Sequence, residues 1–239
     1  NLLNGVVVLL TIFAAAPLIG LTFLGVRRVL GLGPAPVVLD KGYPGAAVLG
    51  GVAFLLLYDL GYYAFHRLQH ANRWLWRFHA VHHSDTRMNA STYVRQHFLE
   101  NVFQALLILL PLLLLVQVSP ATAAWAAGVT AAIQFFAHAD LPIHYGPLSR
   151  VLLSPLLHRV HHSSNAQESG ANFASTFPLW DVVFGTYRPP TPVARTGLHD
   201  GRTMDGFGAL VWGPFRTTPA TPETCHFGTE RNEHGLRAC

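Results

Sequence analysis

The chain has 239 residues, 51% of them hydrophobic and only 12% Asp, Glu, Lys or Arg, with a mean hydropathy of +0.32 and a net charge of +4. A charged share about half that of a soluble domain excludes an ordinary soluble enzyme and points to a single membrane domain. The basic excess is small and no nucleic-acid-binding motif accompanies it, which excludes a DNA or RNA partner.

Two cysteines, Cys225 and Cys239, sit near the C-terminus. They make neither a disulfide framework nor a CxxC metal site, and a reducing, cytosol-facing location fits. The sequence opens at Asn1, so a trimmed N-terminus is expected. Residues 2–24 are apolar and uncharged, enough to cross a bilayer that needs about 20 residues. The run lacks a charged lead-in and is too long for the apolar region of a signal peptide. Arg27 and Arg28 close it, and residues 31–44 form a Gly/Pro-rich loop. Residues 46–65 make a second span interrupted only by Asp59, with His66 at its end. Residues 66–98 mix Arg67, Arg73, Trp74, Trp76, Arg77, Arg87 and Arg95, a combination that marks a membrane interface. Residues 99–118 form a third span, entering the membrane a turn late because of Glu100 and Asn101. A tight turn at Ser119-Pro120 leads into an Ala-rich fourth span, 121–137, closed by His138.

The expected fold is therefore an all-α membrane protein of about four transmembrane helices, with a cytosolic helical cap carrying the histidines. Residues 1–188 form the membrane-embedded domain (core 46–188), and 189–239 a mostly irregular cytosolic tail.

Eight of the fourteen histidines fall in three short motifs: His66-Arg67-Leu68-Gln69-His70, His79-Ala80-Val81-His82-His83 and His158-Arg159-Val160-His161-His162. On a helix, positions three and four apart lie on one face, so each motif aims its imidazoles together. Neutral imidazole ligates Zn, Cu, Fe and Ni. One tetrahedral ion needs three or four protein ligands; eight histidines suit two metals with open positions. A structural zinc site would use cysteine, and none lies near. A zinc protease needs Glu inside HExxH, and Arg67 stands in that place.

Other groups bear on the same site. Asp59 is an acid inside an apolar span, a functional candidate, two helical turns before His66; it either orients a ligand histidine or caps a Tyr or Arg. His138 ends the fourth span within reach of the motifs. His97 is a ligand, a group behind a ligand or an interface residue. His144 follows Pro142 and reads as a loop residue or a group behind a ligand. His199, His226 and His234 read as surface. Trp74, Trp76 and Phe78 are at the depth to line a lipid entry or to form an aromatic belt.

Two spans separate the second and third motifs, so all three face one compartment. Residues 66–98 carry five Lys/Arg against three in 25–45, and the positive-inside rule puts the motifs in the cytoplasm.

HRLQH, WRFHAVHHS, FFAHAD, SPLLHRVHHS and NFASTFPLWDVVFGTY, in this order, resemble the fatty acid hydroxylase / sterol desaturase superfamily over about residues 59–187. The resemblance implies an integral-membrane, non-haem di-iron oxidoreductase (two iron ions) that uses O2 and external electrons on a lipid substrate. By position, His66, His70, His79, His82, His83, His158, His161 and His162 are implied ligands, and His138 the additional histidine after the fourth span. Asn172, Trp180 and Asp181 match elements that pack and orient the third motif, and Asp59 or Asp181 would tune the ligands. Ala174 departs from the Gly that many members have there. No cytochrome-like extension is present, so a separate electron donor (cytochrome, ferredoxin or reductase) is expected. The location implied is a bacterial inner membrane. Hydroxylation is favoured over desaturation; a carotenoid hydroxylase and a non-redox membrane metal-binding or transport protein are the alternatives. A transport path would scatter histidines along the spans, and none is mid-span.

Overall fold

The computed structural model describes residues 1–42 and 45–216. Cys225, Cys239, His226, His234, Pro44 and residues 217–239 of the expected tail lie outside the described residues. The described residues are mostly helical. Helix α1 (Leu2–Val29) is followed by strand β1 (Val37–Val38), α2 (Ala46–Ala71) and α3 (Arg73–His83). A 3₁₀ turn (Ala90–Val94) precedes α4 (Phe98–Gln104), which runs through a π turn (Ala105–Leu109) into α5 (Leu110–Leu115). Strand β2 (Val116–Gln117) then leads to α6 (Pro120–Ala137). Short helices follow: α7 (Pro155–His161), α8 (Ala166–Ser169), α9 (Leu179–Val183) and α10 (Phe207–Arg216).

Two helical segments among the described residues, Ala46–Ala71 and Phe98–Leu115, are long and apolar enough to cross a membrane. Helix α1 exposes Leu3, Leu9, Leu10, Phe13, Leu18 and Leu21. Large exposed apolar faces of this kind belong against lipid or a partner. The chain reads as a membrane protein on this ground.

Small residues let the helices close. A Cβ on Gly51 would collide with the Trp125 ring, and one on Gly61 would lie 2.7 Å from Ile108 in the π turn. Close approach over glycine is how helices pack where burial against lipid gives no driving force. The π turn has its own cause: Pro111 has no N–H to donate to Leu107, and the ladder ahead of it widens.

The direction of each long helix positions the site. Asn4 Nδ2 donates to the carbonyls of Val94 (3.0 Å) and Gln96 (2.7 Å), which pins the start of α1 beside the 3₁₀ turn. Helix α4 starts at the same end, while α2 and α6 finish there with His70 and His138. At the opposite end β1 and β2 pair in parallel, Val37 with Val116. The bundle thus alternates in direction, and every histidine motif falls at one end.

Two caps fold the motifs over that end. Asn72 ends α2 and begins α3, its side chain accepting from Trp74 N and Leu75 N. Ser154 caps α7 with Pro155 at the first helical position. Within the stretch expected to be irregular, Leu198, Met204 and Leu210 pack with Trp76, Ala80 and Val81, and residues 207–216 form α10. The apolar partners needed to order that stretch come from α3, far away in sequence.

Candidate metal centre

Nine histidines converge from four places in the chain. His66 and His70 come from α2, His79, His82 and His83 from α3, His138 from the end of α6, and His158, His161 and His162 from α7 and the residue after it. None is more than 4% exposed. They divide into two groups, each with ligand atoms within 4.8 Å of one another: His66, His70, His79, His83 and His161, and His82, His138, His158 and His162. The i, i+4 pairs 66/70, 79/83 and 158/162 each stay within one group. The intervening His82 and His161 cross to the other. The His83 and His162 rings, stacked at 4.4 Å, join the two groups.

The ring protons show what the groups are built for. His66 Nδ1 donates to Phe173 O, His161 Nδ1 to Ala171 O and His138 Nδ1 to Gln134 O, each at 2.7 Å. His79 Nδ1 donates to Glu100 Oε1 at 2.7 Å. A neutral imidazole carries one N–H, so these four rings present bare Nε2 lone pairs. Yet His66 Nε2 and His79 Nε2 lie 2.8 Å apart, and His138 Nε2 lies 3.0 Å from His158 Nε2 and 3.2 Å from His82 Nε2. The His66–His79 contact has no proton available to bridge it; a cation between the lone pairs resolves it. Both nitrogens of His70 and His162, together with His161 Nε2, are buried with no partner among the described residues, an arrangement that is costly without a ligand. The donor set therefore fits two all-imidazole metal sites, and imidazole suits iron and zinc alike.

Burial favours the neutral form of His82, His83, His138, His158, His161 and His162, which can ligate without releasing protons. Desolvation lowers the pKa of His82, His83, His158 and His162 well below the ordinary value, that of His138 to about 4 and that of His161 to about 3. Folded values below the unfolded 6.5 mean that the unfolded chain binds more protons between those limits, so acid favours unfolding. Thermal midpoint and metal content, measured in detergent across pH, should be flat above about 6.5 and fall progressively below it. A midpoint unchanged down to about pH 4 would contradict this.

One loop holds two of the rings. Residues 171–177 arch over α2, and Asn172 adopts a left-handed φ of 58°. This turns the flanking Ala171 and Phe173 carbonyls onto His161 and His66. Asn172 Nδ2 donates to Leu157 O and Arg188 O, and its Oδ1 accepts from Arg188 N. Asp181 accepts from Phe173 N, Ala174 N and Thr186 Oγ1. Burial pushes its pKa up to about 7 against those bonds. Asp59 accepts from Ser175 N, Ser175 Oγ, Thr176 N and Phe177 N. Its bonds among the described residues go to no histidine, Tyr or Arg; three backbone N–H groups of the loop and the Ser175 hydroxyl supply the donors instead. Asp59 and Asp181 thus act on His66 through the loop. Asn172→Ala loses three side-chain bonds and strains the backbone, a cost of about 2–4 kcal/mol. Thermal unfolding should show it, with Asn172→Gly relieving only the backbone part.

Glu100 is the residue that sequence reasoning missed. Its Oε1 accepts from both His79 Nδ1 and Gln69 Nε2 (2.9 Å), and it is 1% exposed. The signal was present: an acid at the edge of an apolar span, the same cue that singled out Asp59. Gln134 is a second omission, its backbone carbonyl holding His138 and its side chain bonded to Ser175 O.

The remaining candidates, Trp76 apart, lie away from the two groups. His97 caps α4 through Nδ1 and donates from Nε2 to Val211 O. His144 is exposed, accepting from Gly146 N. Trp180 packs with Tyr63 and Phe173. Trp76 is fully buried against His70, with ring centroids 4.9 Å apart. Trp74 is on the surface under Arg77, and Phe78 packs on His97, Phe103 and Phe215.

A family model described as fatty acid hydroxylase matches residues 51–186. The ornithine lipid hydroxylase OlsE of Rhizobium tropici is 36% identical over 67% of this chain and 49% of its own length. The alkylglycerol monooxygenase of Xenopus tropicalis is 33% identical over 67% of this chain and 37% of its own. That of Danio rerio is 37% identical over 59% and 31%. The chain thus spans about half the length of these curated relatives, or less. No solved structure gives a significant match.

Proposed function

We propose, from the premise that this chain belongs to the fatty acid hydroxylase family, that it is a membrane-bound oxygenase that hydroxylates a C–H bond of a lipid at a pair of histidine-held irons. One observation carries the reading: nine buried imidazoles form two groups whose facing nitrogens, His66 Nε2 against His79 Nε2 at 2.8 Å, fit a shared cation. His66, His70, His79, His83 and His161 would hold one iron, and His82, His138, His158 and His162 the other.

Bound iron, supplied with O2 and electrons, provides the oxidation of an unactivated C–H bond. The chain supplies the rest. The carbonyls of Ala171, Phe173 and Gln134 and the Glu100 carboxylate fix the ring tautomers and raise ligand basicity. Burial excludes water from the centre. Helix α1, helix α2, the segment Phe98–Leu115 and helix α6 would be the four spans, with the helical cap on the cytoplasmic face. The excess of Lys and Arg in 66–98 supports that orientation, and a bacterial inner membrane is the proposed location. A lipid from the bilayer is the substrate, and a redox protein supplies the electrons.

The test is lipid mass spectrometry of cells with and without the chain. A lipid heavier by one oxygen atom only when the chain is expressed is the expected result. A lipid lighter by two hydrogens would assign desaturation to the same centre. Purified protein that binds no iron or other metal would overturn the reading.

A further inference from the structure

A small polar chamber of about 60 Å³ lies between α2, the 3₁₀ turn, α4 and α6. Tyr58, Tyr62, Tyr93, Gln104, Thr130 and Gln134 are among its walls, and among the described residues no Asp, Glu, Lys or Arg is. It abuts both histidine groups: the Tyr62 ring sits 5.3 Å from His66, and the Tyr93 ring 5.8 Å from His138. A second, larger cavity of about 570 Å³ opens along α1, lined by Leu2, Val6, Leu9, Val94, Ala131 and Phe135. The two cavities share Tyr93, Gln96 and Asn101 in their walls. An apolar groove of ligand-binding size thus leads to a polar chamber beside the metal centre.

The contrast between the two cavities is informative. Phenol, carboxamide and hydroxyl groups inside a bundle of apolar helices are costly unless they find partners. Asn101 Nδ2 is buried with no hydrogen-bond partner among the described residues. Among the described residues no charged side chain lines the chamber, and the carboxylates behind its walls, Asp59 bonded to Ser175 and Glu100 near Tyr62, disfavour an anion, so it suits a neutral hydrogen-bonding group over a carboxylate or phosphate.

Resting on the oxygenase reading above, we propose that the chamber receives an uncharged polar function of the substrate, such as an amide, ester, ether or hydroxyl, while the groove along α1 takes its alkyl chain. The carbon presented to the metals is then one close to that polar function. A carbon far down the chain would leave the chamber's polar groups facing hydrocarbon.

Equilibrium binding to the purified full chain tests this without turnover. The probes are radiolabelled palmitamide, palmitate and hexadecane in detergent at pH 8, with metal content measured on every sample. Palmitamide should bind about tenfold or more tighter than either other probe, the worth of two or more hydrogen bonds. Gln104→Leu and Thr130→Val, made separately, should each remove part of that preference while metal content stays at the wild-type level. Phe135→Trp, which fills the groove, should weaken palmitamide and hexadecane together. Metal-replete protein that binds palmitate or hexadecane as tightly as palmitamide overturns the inference alone. So does an unchanged preference in both chamber variants. Protein that never takes up metal overturns the oxygenase reading instead.

Discussion

His161→Ala and His82→Ala should each abolish turnover and each lower bound metal from two per chain to about one. His161 belongs to the group of five and His82 to the group of four, so each substitution opens a different site. The spans should remain folded, because their packing rests on contacts such as Gly51 with Trp125 at the other end of the bundle. The comparison is sharp because both residues hold the same place in their motifs. If the two motifs each served one ion, the two variants would instead lose metal in the same pattern as their i, i+4 neighbours. Metal analysis with lipid turnover on both variants decides it, and His144→Ala, in an exposed loop, serves as the control expected to match wild type. Full turnover in His82→Ala and His161→Ala would sink the two-metal reading.

Glu100→Gln should reduce metal affinity or activity by about 10–100-fold, the usual cost of removing the carboxylate behind a ligand histidine. The variant keeps an oxygen for His79 Nδ1 and Gln69 Nε2 but loses the charge that makes His79 a stronger donor to metal. Glu100→Leu should be worse, since it strands both buried donors, each worth about 1–3 kcal/mol when left unpaired. Chelator competition measures affinity, and thermal unfolding measures the stranding. Wild-type affinity in Glu100→Gln would show that hydrogen bonding alone, without the charge, is what His79 needs.

Much of the centre was legible in the chain itself. Long apolar runs, histidines at i, i+4, and two apolar helical segments between the second and third motifs put the imidazoles at one end of a bundle. Those are local properties, set by helical periodicity and by the intolerance of lipid for unpaired polar groups. Glu100 was harder to read because its meaning depends on a partner, His79, twenty-one residues away. As an isolated acid it says only that a span begins late. Asp59 was recognised as unusual for its position, but its four donors come from residues 175–177, and nothing near it in sequence announces them. The loop from Ala171 to Ala174 is similar. Asn172 is a residue type that tolerates a left-handed backbone, yet only the fold shows that the turn exists to aim two carbonyls at His66 and His161.

By itself the sequence determined which imidazoles are available and that they gather at one end of the bundle, because spacing along one helix and the alternation of apolar runs need no knowledge of packing. The tertiary structure alone decided how they divide. Residues i+3 and i+4 lie about 100° apart around a helix with 3.6 residues per turn, so within HAVHH and HRVHH the neighbouring rings diverge. Whether they converge on one ion or part toward two depends on where α2, α3, α6 and α7 stand relative to one another, which no single helix specifies.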